Sequence, residues 1–225
     1  MLQGKEECVF VDRKQAGAML AQRLLHLAAE QPIVLGLPRG GVPVAAEVAA
    51  ALHAPLDVCV VRKIGVPWQP EYGVGAVAEG GEVFLDARGM AAARVTERDI
   101  APVIARERRE VEARVRRFRP GQSPLDVQGR TVIVVDDGLA TGGTAHAALR
   151  ALRHRGAAKL ILAVPVGAAD SLAALRDDVD EIVTLATPSP FIAVGHHYGD
   201  FHQVKDSAVV QQLCAARQRQ PTKQS

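Results

Sequence analysis

Cysteine is scarce in this sequence of 225 residues, which contains only Cys8, Cys59 and Cys214. The three are widely spaced, and none belongs to a CxxC or Cys/His pattern. An odd, scattered set argues against both a disulfide framework and a structural zinc site. Cysteines that stay reduced are typical of the cytoplasm, and we expect the protein there.

Long apolar runs and a marked charge excess are also missing. No stretch of about 18 uninterrupted apolar residues could span a bilayer, and the opening MLQGKEECVF lacks the apolar core of a signal peptide. The formal net charge of +2 is too small to indicate nucleic acid as a partner. With 48% hydrophobic and 23% charged residues the composition is ordinary, and we expect one domain over residues 1–225.

Predicted strands and helices alternate along the chain. Short apolar runs predict strands at residues 33–37, 56–61, 131–135, 160–164 and 181–185. Apolar residues at helical spacing predict helices at residues 12–30, 42–52, 144–155 and 169–177. This alternation predicts an α/β fold with a doubly wound, mostly parallel sheet. The glycine-rich stretch 63–82 predicts a long loop instead, with a β-hairpin within residues 74–85.

One predicted strand ends in an acidic pair. Residues 132–144 read VIVVDDGLATGGT, so Asp136 and Asp137 follow the strand and a Thr-Gly-Gly-Thr turn opens the next helix. Ligands bind at this edge of parallel sheets, where the N–H groups and dipole of a helix N-terminus attract phosphate. Carboxylates accept hydrogen bonds from hydroxyls such as those of ribose. A ribose 5-phosphate suits both halves; the alternative is a capped turn and a tight bend.

This segment resembles the signature for 5-phosphoribosyl 1-diphosphate (PRPP) in type I phosphoribosyltransferases. It contains neither the GK[ST] of a Walker A loop nor the GxGxxG of a dinucleotide fold. The resemblance implies that Asp136 and Asp137 hold the ribose 2- and 3-hydroxyls and are the catalytic pair, with Asp137 able to assist proton transfer. It also implies a 5-phosphate loop made of Ala140, Thr141, Gly142, Gly143 and Thr144.

Two further segments bear on the diphosphate. GLPRGG, residues 36–41, resembles the pyrophosphate loop of the same family, which implies that Arg39, Gly40 and Gly41 contact the diphosphate. Arg62 and Lys63 end the second predicted strand; they either meet the diphosphate or are ordinary surface cations. The glycine-rich stretch after them resembles the mobile catalytic loop of these enzymes, and Glu71 and Tyr72 are its candidates to enter the site.

The acceptor is expected in a small hood, residues 186–206. Within it, PFIAVGHHYGDF resembles the hood of the purine-salvage branch, which implies that Phe191 stacks on the base and that Asp200 reads an exocyclic amine. The spacing departs from that branch by one extra residue after Gly195. The nearby His196, His197 and His202 are expected to be surface or hydrogen-bonded residues and not metal ligands, because adjacent histidines on an extended strand face opposite ways. Trp68 either contacts substrate or packs against the hairpin, and packing is the favoured alternative.

The opening VDRKQAGAMLAQRL, with GLPRGG and VRKIG, resembles a branch of predicted phosphoribosyltransferases that has no agreed acceptor. The resemblance implies transfer of the 5-phosphoribosyl group from PRPP to a nitrogenous base, with a purine as the candidate, and release of pyrophosphate. It also implies Mg²⁺ bound mainly through PRPP, and no protein metal cage. A homodimer is possible. The alternative is a regulatory protein that senses PRPP or nucleotides.

A long basic helix completes the pattern. Residues 94–119 hold nine arginines against five acidic residues, within a predicted helical insertion or flap over residues 88–123. A functional interpretation is a basic element that lies near the diphosphate or binds RNA. The structural alternative is a solvated, ion-paired helix that packs on the sheet or on a second subunit. An apolar stripe accompanies the charges and no aromatic platform interrupts them, which favours the packed helix and makes nucleic acid unlikely.

Overall fold

The computed structural model describes residues 10–219, so Cys8 and the outermost ends of the predicted domain lie outside the described residues. Its strands are β1 Ile33–Gly36, β2 Leu56–Val58, β3 Val61–Val66, β4 Gln69–Ala78, β5 Val83–Leu85, β6 Thr131–Val135, β7 Lys159–Val166 and β8 Glu181–Ala186. Its helices are α1 Arg13–Leu24, α2 Gly41–Ala51, α3 Ala87–Ala93, α4 Glu97–Phe118, α5 Gly143–His154, α6 Ala169–Ala174 and α7 Asp206–Gln218.

The central sheet is parallel and covered on both faces. Its five strands run in the order β2-β1-β6-β7-β8. Alternate residues of one strand serve different faces: Ile133 and Val135 join the core beneath α1, α2, α4 and α7, whereas Val132 and Val134 join the core beneath α5. The predicted doubly wound parallel sheet is therefore confirmed.

A second sheet was not predicted. Strands β3, β4 and β5 form a three-stranded antiparallel sheet, so the single strand predicted at 56–61 is wrong and is split between two sheets. The long loop predicted at 63–82 is also wrong, because most of it lies in β3 and β4. The smaller hairpin predicted within 74–85 is confirmed by the pairing of Gly75, Ala76 and Val77 with β5.

The helical insertion predicted over residues 88–123 contains two helices, α3 and α4. The chain leaves α3 with Arg94 in the left-handed region, at φ 55°, and α4 starts with a capping box in which Thr96 and Asp99 bond each other's backbone N–H groups. Helix α4 buries apolar residues against the second sheet and α7. Along the helix lie the ion pairs Arg114–Glu110 and Arg116–Glu112, which agrees with the packed, ion-paired helix.

Two other helices are shorter than predicted. The helix predicted at 12–30 is α1 followed by a 3₁₀ segment at Leu25–Glu30, and the helix predicted at 169–177 is α6 followed by a 3₁₀ turn at Arg176–Asp178. Asp12 caps α1 by accepting a hydrogen bond from the Gln15 backbone N–H at 2.7 Å. Within residues 10–219, no helix is both long enough and apolar enough to cross a lipid bilayer.

Candidate functional site

The two glycine-containing loops meet at one point of the parallel sheet. Strands β1 and β6 are neighbours, and the chain leaves β1 for α2 on one face but leaves β6 for α5 on the other. A crevice opens where the connections diverge in this way, and it is the usual ligand site of doubly wound sheets. The loop at residues 37–40 and the loop at residues 136–142 border this crevice.

The loops are in direct contact, and glycine makes the contact possible. The Leu37 backbone N–H donates to the Val135 carbonyl at 2.8 Å. A Cβ added to Gly40 would stand 2.0 Å from Asp137 Oδ2, and one added to Gly41 would stand 2.5 Å from the Val135 carbonyl oxygen. The structure thus brings Gly40 and Gly41 against the acidic pair, as the two sequence motifs together required.

The acidic pair is partly buried at this junction. Asp136 Oδ1 accepts a hydrogen bond from the Asp137 backbone N–H at 2.9 Å. Burial raises the pKa of Asp136 well above its usual value, and the neighbouring charge of Asp137 raises it further. Burial also raises the pKa of Asp137, although the Arg13 guanidinium acts in the opposite direction. The site therefore holds two carboxyls whose environment disfavours two full negative charges at once.

Two residues that the sequence did not single out complete the acid site. Arg13, in the first turn of α1, donates from Nε to Asp137 Oδ2 at 2.8 Å and from Nη1 to the His202 carbonyl at 2.9 Å. Its guanidinium carbon lies 3.9 Å from the centre of the Phe201 ring. Tyr198 donates its hydroxyl to the Asp137 carbonyl at 2.5 Å. Arg13 and Tyr198 therefore connect the acidic pair to the hood.

The predicted phosphate loop forms the start of α5. Gly142 is the N-cap residue with φ 74°, a conformation that favours glycine, and α5 begins at Gly143. The N–H groups of a first helical turn have no acceptor within their own helix, so those at Gly143 and Thr144 are available to an anion. Ser171 donates its hydroxyl to the Ala140 carbonyl at 2.5 Å, which fixes the approach to the loop.

The three predicted cations are placed differently from one another. Lys63 crosses to the phosphate loop, where its Cδ lies 3.4 Å from a Cβ built on Gly143. Arg39 Nη1 lies 3.4 Å from Asp206 Oδ1, at the start of α7. Arg62 donates from Nε to Glu107 of α4 at 2.8 Å. The prediction that Arg62 and Lys63 end a parallel strand is wrong. They lie in β3 of the antiparallel sheet, because the chain changes sheets after Val58.

Glu71 and Tyr72, the residues predicted to enter the site from a mobile loop, lie on the second sheet. Lys63 Nζ donates to Glu71 Oε2 at 3.1 Å, and Tyr72 is partly exposed on the same strand, β4. Trp68 occupies the turn between β3 and β4 and is 65% exposed. The prediction that Trp68 packs against the hairpin is therefore wrong, because the turn leaves most of its side chain exposed.

Backbone hydrogen bonds connect the hood to the first described residues of the chain. The backbone N–H groups of Gly199 and Asp200 donate to the carbonyls of Phe10 and Val11, both at 2.8 Å. The Phe191 ring lies 5.6 Å from the His197 ring, between centroids. Asp200 is bonded to the His202 ring at 2.5 Å and is exposed. The two predicted acceptor residues thus lie in one segment, with Phe191 next to a buried imidazole.

The histidines of the hood are not on an extended strand. His196 and His197 belong to a 3₁₀ turn at Val194–His197, so the geometric premise used for them was wrong. His197 is buried, whereas His202 is exposed. Their environments differ because the turn directs one imidazole towards Phe191 while His202 follows Asp200 at the surface.

The phosphoribosyl transferase domain, as a sequence family, matches residues 12–198 of this chain. The chain belongs to the phosphoribosyl transferase family. The matched range begins at the N-cap of α1 and ends in the hood, so it contains both loops of the crevice and the acidic pair.

Two proteins of similar sequence give this chain its context. It is 49% identical over 205 residues to "Putative phosphoribosyl transferase Rv0571c" of Mycobacterium tuberculosis, a match that covers 90% of this chain and 46% of that protein. The chain thus spans about half the length of that relative. It is 45% identical over 60 residues to a uracil phosphoribosyltransferase of Alkaliphilus metalliredigens, covering 25% of this chain and 29% of that protein.

A solved structure is similar to this chain over most of its length. The crystal structure of TT1426 from Thermus thermophilus is 41% identical in sequence and has a TM-score of 0.86. The match covers 92% of this chain and 98% of that chain. The antiparallel second sheet and the helices beside it are therefore parts of a shared architecture and not additions to one end.

The two site residues that sequence reasoning missed have weak local signals. Arg13 lies in the quoted segment VDRKQAG, but nothing near it in sequence indicates a partner 124 residues away. Tyr198 lies in the hood segment, two residues before the predicted acceptor residue Asp200. Only the packing of α1 against the hood shows that both residues contact Asp137.

Proposed function

We propose that the protein transfers the 5-phosphoribosyl group of PRPP to a ring nitrogen of a purine-like base and releases pyrophosphate. The observation that carries this proposal is the contact of Gly40 and Gly41 with Asp137 and Asp136 at the divergence of β1 and β6. A diphosphate loop and a ribose phosphate loop are of use together only to a ligand that has both groups on one sugar.

Each part of the donor has a matching part of the crevice. The 5-phosphate binds the N–H groups and positive dipole end at Gly143 and Thr144. The ribose hydroxyls donate to the carboxylates of Asp136 and Asp137. The diphosphate lies beside Gly40 and Gly41, whose lack of side chains lets an anion reach the backbone.

The chemistry is a substitution at the ribose C1. The bond between C1 and the diphosphate oxygen breaks, the diphosphate leaves with the electron pair, and a ring nitrogen of the base bonds to C1. The ribose becomes cationic in between, and the adjacent carboxylates Asp136 and Asp137 stabilise that charge. The proton displaced from the base nitrogen passes to Asp137, whose raised pKa suits a proton acceptor.

Magnesium fits this site. The carboxylates of Asp136 and Asp137 are the hard oxygen ligands that Mg²⁺ accepts, and their raised pKa values show an environment that a nearby cation would relieve. The two residues would hold the ion together with ribose and diphosphate oxygens and water. When bound, the ion offsets the negative charge of the leaving diphosphate.

A purine-like acceptor is supported by the hood. Phe191 offers an aromatic face next to His197, and Asp200 offers a carboxylate acceptor for an exocyclic amine within the same segment. The partial match to a uracil phosphoribosyltransferase adds a pyrimidine to the bases worth testing.

The test is release of pyrophosphate from PRPP, with magnesium chloride and a panel of adenine, guanine, hypoxanthine, xanthine and uracil. We expect release with at least one purine. The double variant Asp136→Asn/Asp137→Asn should keep its fold, release none, and bind PRPP at least roughly 100-fold more weakly, because hydrogen bonds to charged groups are worth about 1.5–3 kcal/mol each.

Calorimetry separates the ways in which this proposal can fail. PRPP binding without turnover for every base would favour a sensor over an enzyme. An unchanged affinity for PRPP in the double variant would show that the donor binds away from the acidic pair.

A further inference from the structure

Helix α4 forms one wall of a cavity at the diphosphate side of the crevice. The cavity has a volume of about 410 Å³ and is bordered by Pro38 of the loop after β1, by Lys63 of β3 and by Thr144 in the first turn of α5. Its opposite wall includes Arg106, Glu107 and Arg114 of α4. The basic helix therefore faces the same space as the two phosphate-binding loops.

The charges around this cavity favour an anion. Arg62, Lys63, Arg106 and Arg114 line it against two carboxylates, Glu71 and Glu107, which leaves an excess of two positive charges. Cations gathered in a partly enclosed space raise the local concentration of an anionic ligand. Three of the four are arginines, whose planar guanidinium groups bind phosphate oxygens in pairs.

Glu107 holds two of these arginines in place. Its side chain is only 5% exposed and accepts from Arg62 Nε at 2.8 Å and from Arg106 Nε at 2.9 Å. Burial acts to raise the pKa of Glu107, but the hydrogen bonds from the two arginines outweigh it and the pKa is lowered. Because each guanidinium has five N–H donors, both arginines keep donors free for a ligand after bonding Glu107.

We propose that α4 supplies part of the diphosphate site: Arg106 and Arg114 bind the diphosphate of PRPP, and Glu107 is the positioning residue that holds Arg62 and Arg106 for it. This inference rests on the proposed function and assigns a role to the basic helix. Arg114 is kept near the cavity by its pair with Glu110, at 3.0 Å one helical turn away.

The test is calorimetric titration of the full chain with inorganic pyrophosphate and magnesium chloride, and separately with ribose 5-phosphate. We expect Arg106→Ala and Arg114→Ala each to weaken pyrophosphate binding roughly tenfold, the loss of one charge-assisted contact, with ribose 5-phosphate affinity kept within about twofold. The matched control is Arg116→Ala: Arg116 is an exposed arginine of the same helix that does not line this cavity, so its removal should change neither affinity.

Glu107→Gln distinguishes a positioning role from a simple effect of charge, because the two predict opposite changes in pyrophosphate affinity. If charge alone mattered, loss of a carboxylate would strengthen pyrophosphate binding; because Glu107 positions Arg62 and Arg106, we expect binding to weaken. Tighter binding would overturn the positioning role. If this variant does not fold, Arg106→Lys replaces it, because lysine keeps the charge but lacks the planar guanidinium that can bond Glu107 and the anion together. An unchanged pyrophosphate affinity in Arg106→Lys would also overturn the positioning role.

The two ligands separate failure of this inference from failure of the proposed function. If the unaltered protein binds neither ligand, the proposed function fails and this inference with it. If it binds both but Arg106→Ala and Arg114→Ala leave pyrophosphate affinity within about twofold, only the inference fails. A parallel loss of ribose 5-phosphate binding in these variants would also overturn it, because the effect would not be confined to the diphosphate.

Discussion

At the scale of single residues, Asp137 has the most crowded surroundings of the site. Arg13 bonds its carboxylate, Tyr198 bonds its carbonyl and Gly40 lies against its side chain. Burial raises the pKa of Asp137, while the hydrogen bond and charge of Arg13 lower it. Arg13 therefore favours the ionised carboxylate that the proposed reaction requires.

Replacing Arg13 should shift the acid side of the activity profile. In Arg13→Ala the lowering influence on Asp137 is gone, so its pKa rises and the carboxylate is protonated at higher pH than in the unaltered protein. We expect the acid limb of kcat/KM to move to higher pH, with a loss of roughly tenfold or more near neutral pH from the missing charge-assisted hydrogen bond. Rates measured across the pH range would show this.

Lys14→Ala is the matched control for Arg13. Lys14 is the next residue of α1 and is exposed, so its removal changes the charge of the helix without touching Asp137. An acid limb that moves equally in both variants would indicate a general effect of charge and not the bond to Asp137.

At the scale of elements, the sequence predicted the parallel strands well and the second sheet badly. The parallel strands are apolar runs because both of their faces are covered. Strands β3 and β4 instead contain glycines where the backbones approach closely: a Cβ on Gly65 would lie 2.2 Å from the Pro70 carbonyl oxygen, and one on Gly75 would lie 2.3 Å from the Phe84 carbonyl oxygen. Glycine lowers strand propensity, and for this reason the sequence of these strands predicted a loop.

The boundary between α3 and α4 had a signal that could have been used. Thr96 and Asp99 have the spacing of a capping box, and they do start α4. The left-handed Arg94 before them has no such signal, because the conformation is rare outside glycine and asparagine.

The loop after β1 gives a prediction at this scale. In Gly41→Ala the new Cβ would meet backbone atoms, 2.5 Å from the Val135 carbonyl oxygen and 2.8 Å from Asp136 Cα, which cannot rotate away. The loop must then move off the acidic pair. We expect kcat/KM for PRPP to fall by roughly 100-fold, a cost typical of a misplacement of about 1 Å.

Gly89→Ala is the control for this steric argument. A Cβ at Gly89 would meet only side-chain atoms of Asp86, and alanine suits helix α3. Steady-state kinetics should separate the two variants, and a Gly41→Ala protein of full activity would contradict the close packing of the two loops.

At the scale of the whole molecule, one arginine connects the two sheets. The buried Arg119, just after α4, donates from Nε to Asp57 of β2 at 2.9 Å and also bonds Glu79, which follows β4. Asp57 is buried as well, and its second oxygen accepts from the Leu125 backbone N–H at 3.3 Å. Burial raises the pKa of Asp57, against the influence of Arg119.

Removal of this arginine should destabilise the whole fold. Arg119→Met leaves the buried Asp57 with only the more distant Arg217, at 4.0 Å, and breaking a buried pair in this way costs about 3–5 kcal/mol of unfolding free energy. Chemical denaturation measures the loss. The exposed pair Arg153–Asp180 is the comparison, and Arg153→Ala should cost no more than about 1 kcal/mol.

The double variant Arg119→Met/Asp57→Leu tests the same network from the other side. Because it removes both buried charges, we expect it to be less destabilised than the sum of the two single variants. Strict additivity would mean that the two side chains do not depend on each other.

The sequence by itself determined the strands of the parallel sheet, the acidic pair and the turn that is predicted to bind phosphate, because each of these lies within one short segment. A strand, its terminal carboxylates and the N-terminus of the next helix follow one another within residues 131–144, so local propensity and one motif suffice. The match of the phosphoribosyl transferase domain to residues 12–198 agrees with that reasoning.

Only the tertiary structure decided which distant side chains act on those residues. Arg13 and Asp137 are 124 positions apart, and Arg62 and Glu107 are 45 apart, yet each pair is joined at 2.8 Å. Such pairs form because α1 packs beside the hood and α4 packs on the second sheet. Packing of this kind depends on apolar faces, and the sequence of an apolar face does not indicate which other face it contacts. The charges that tune the site are therefore fixed by how the layers stack and not by any motif.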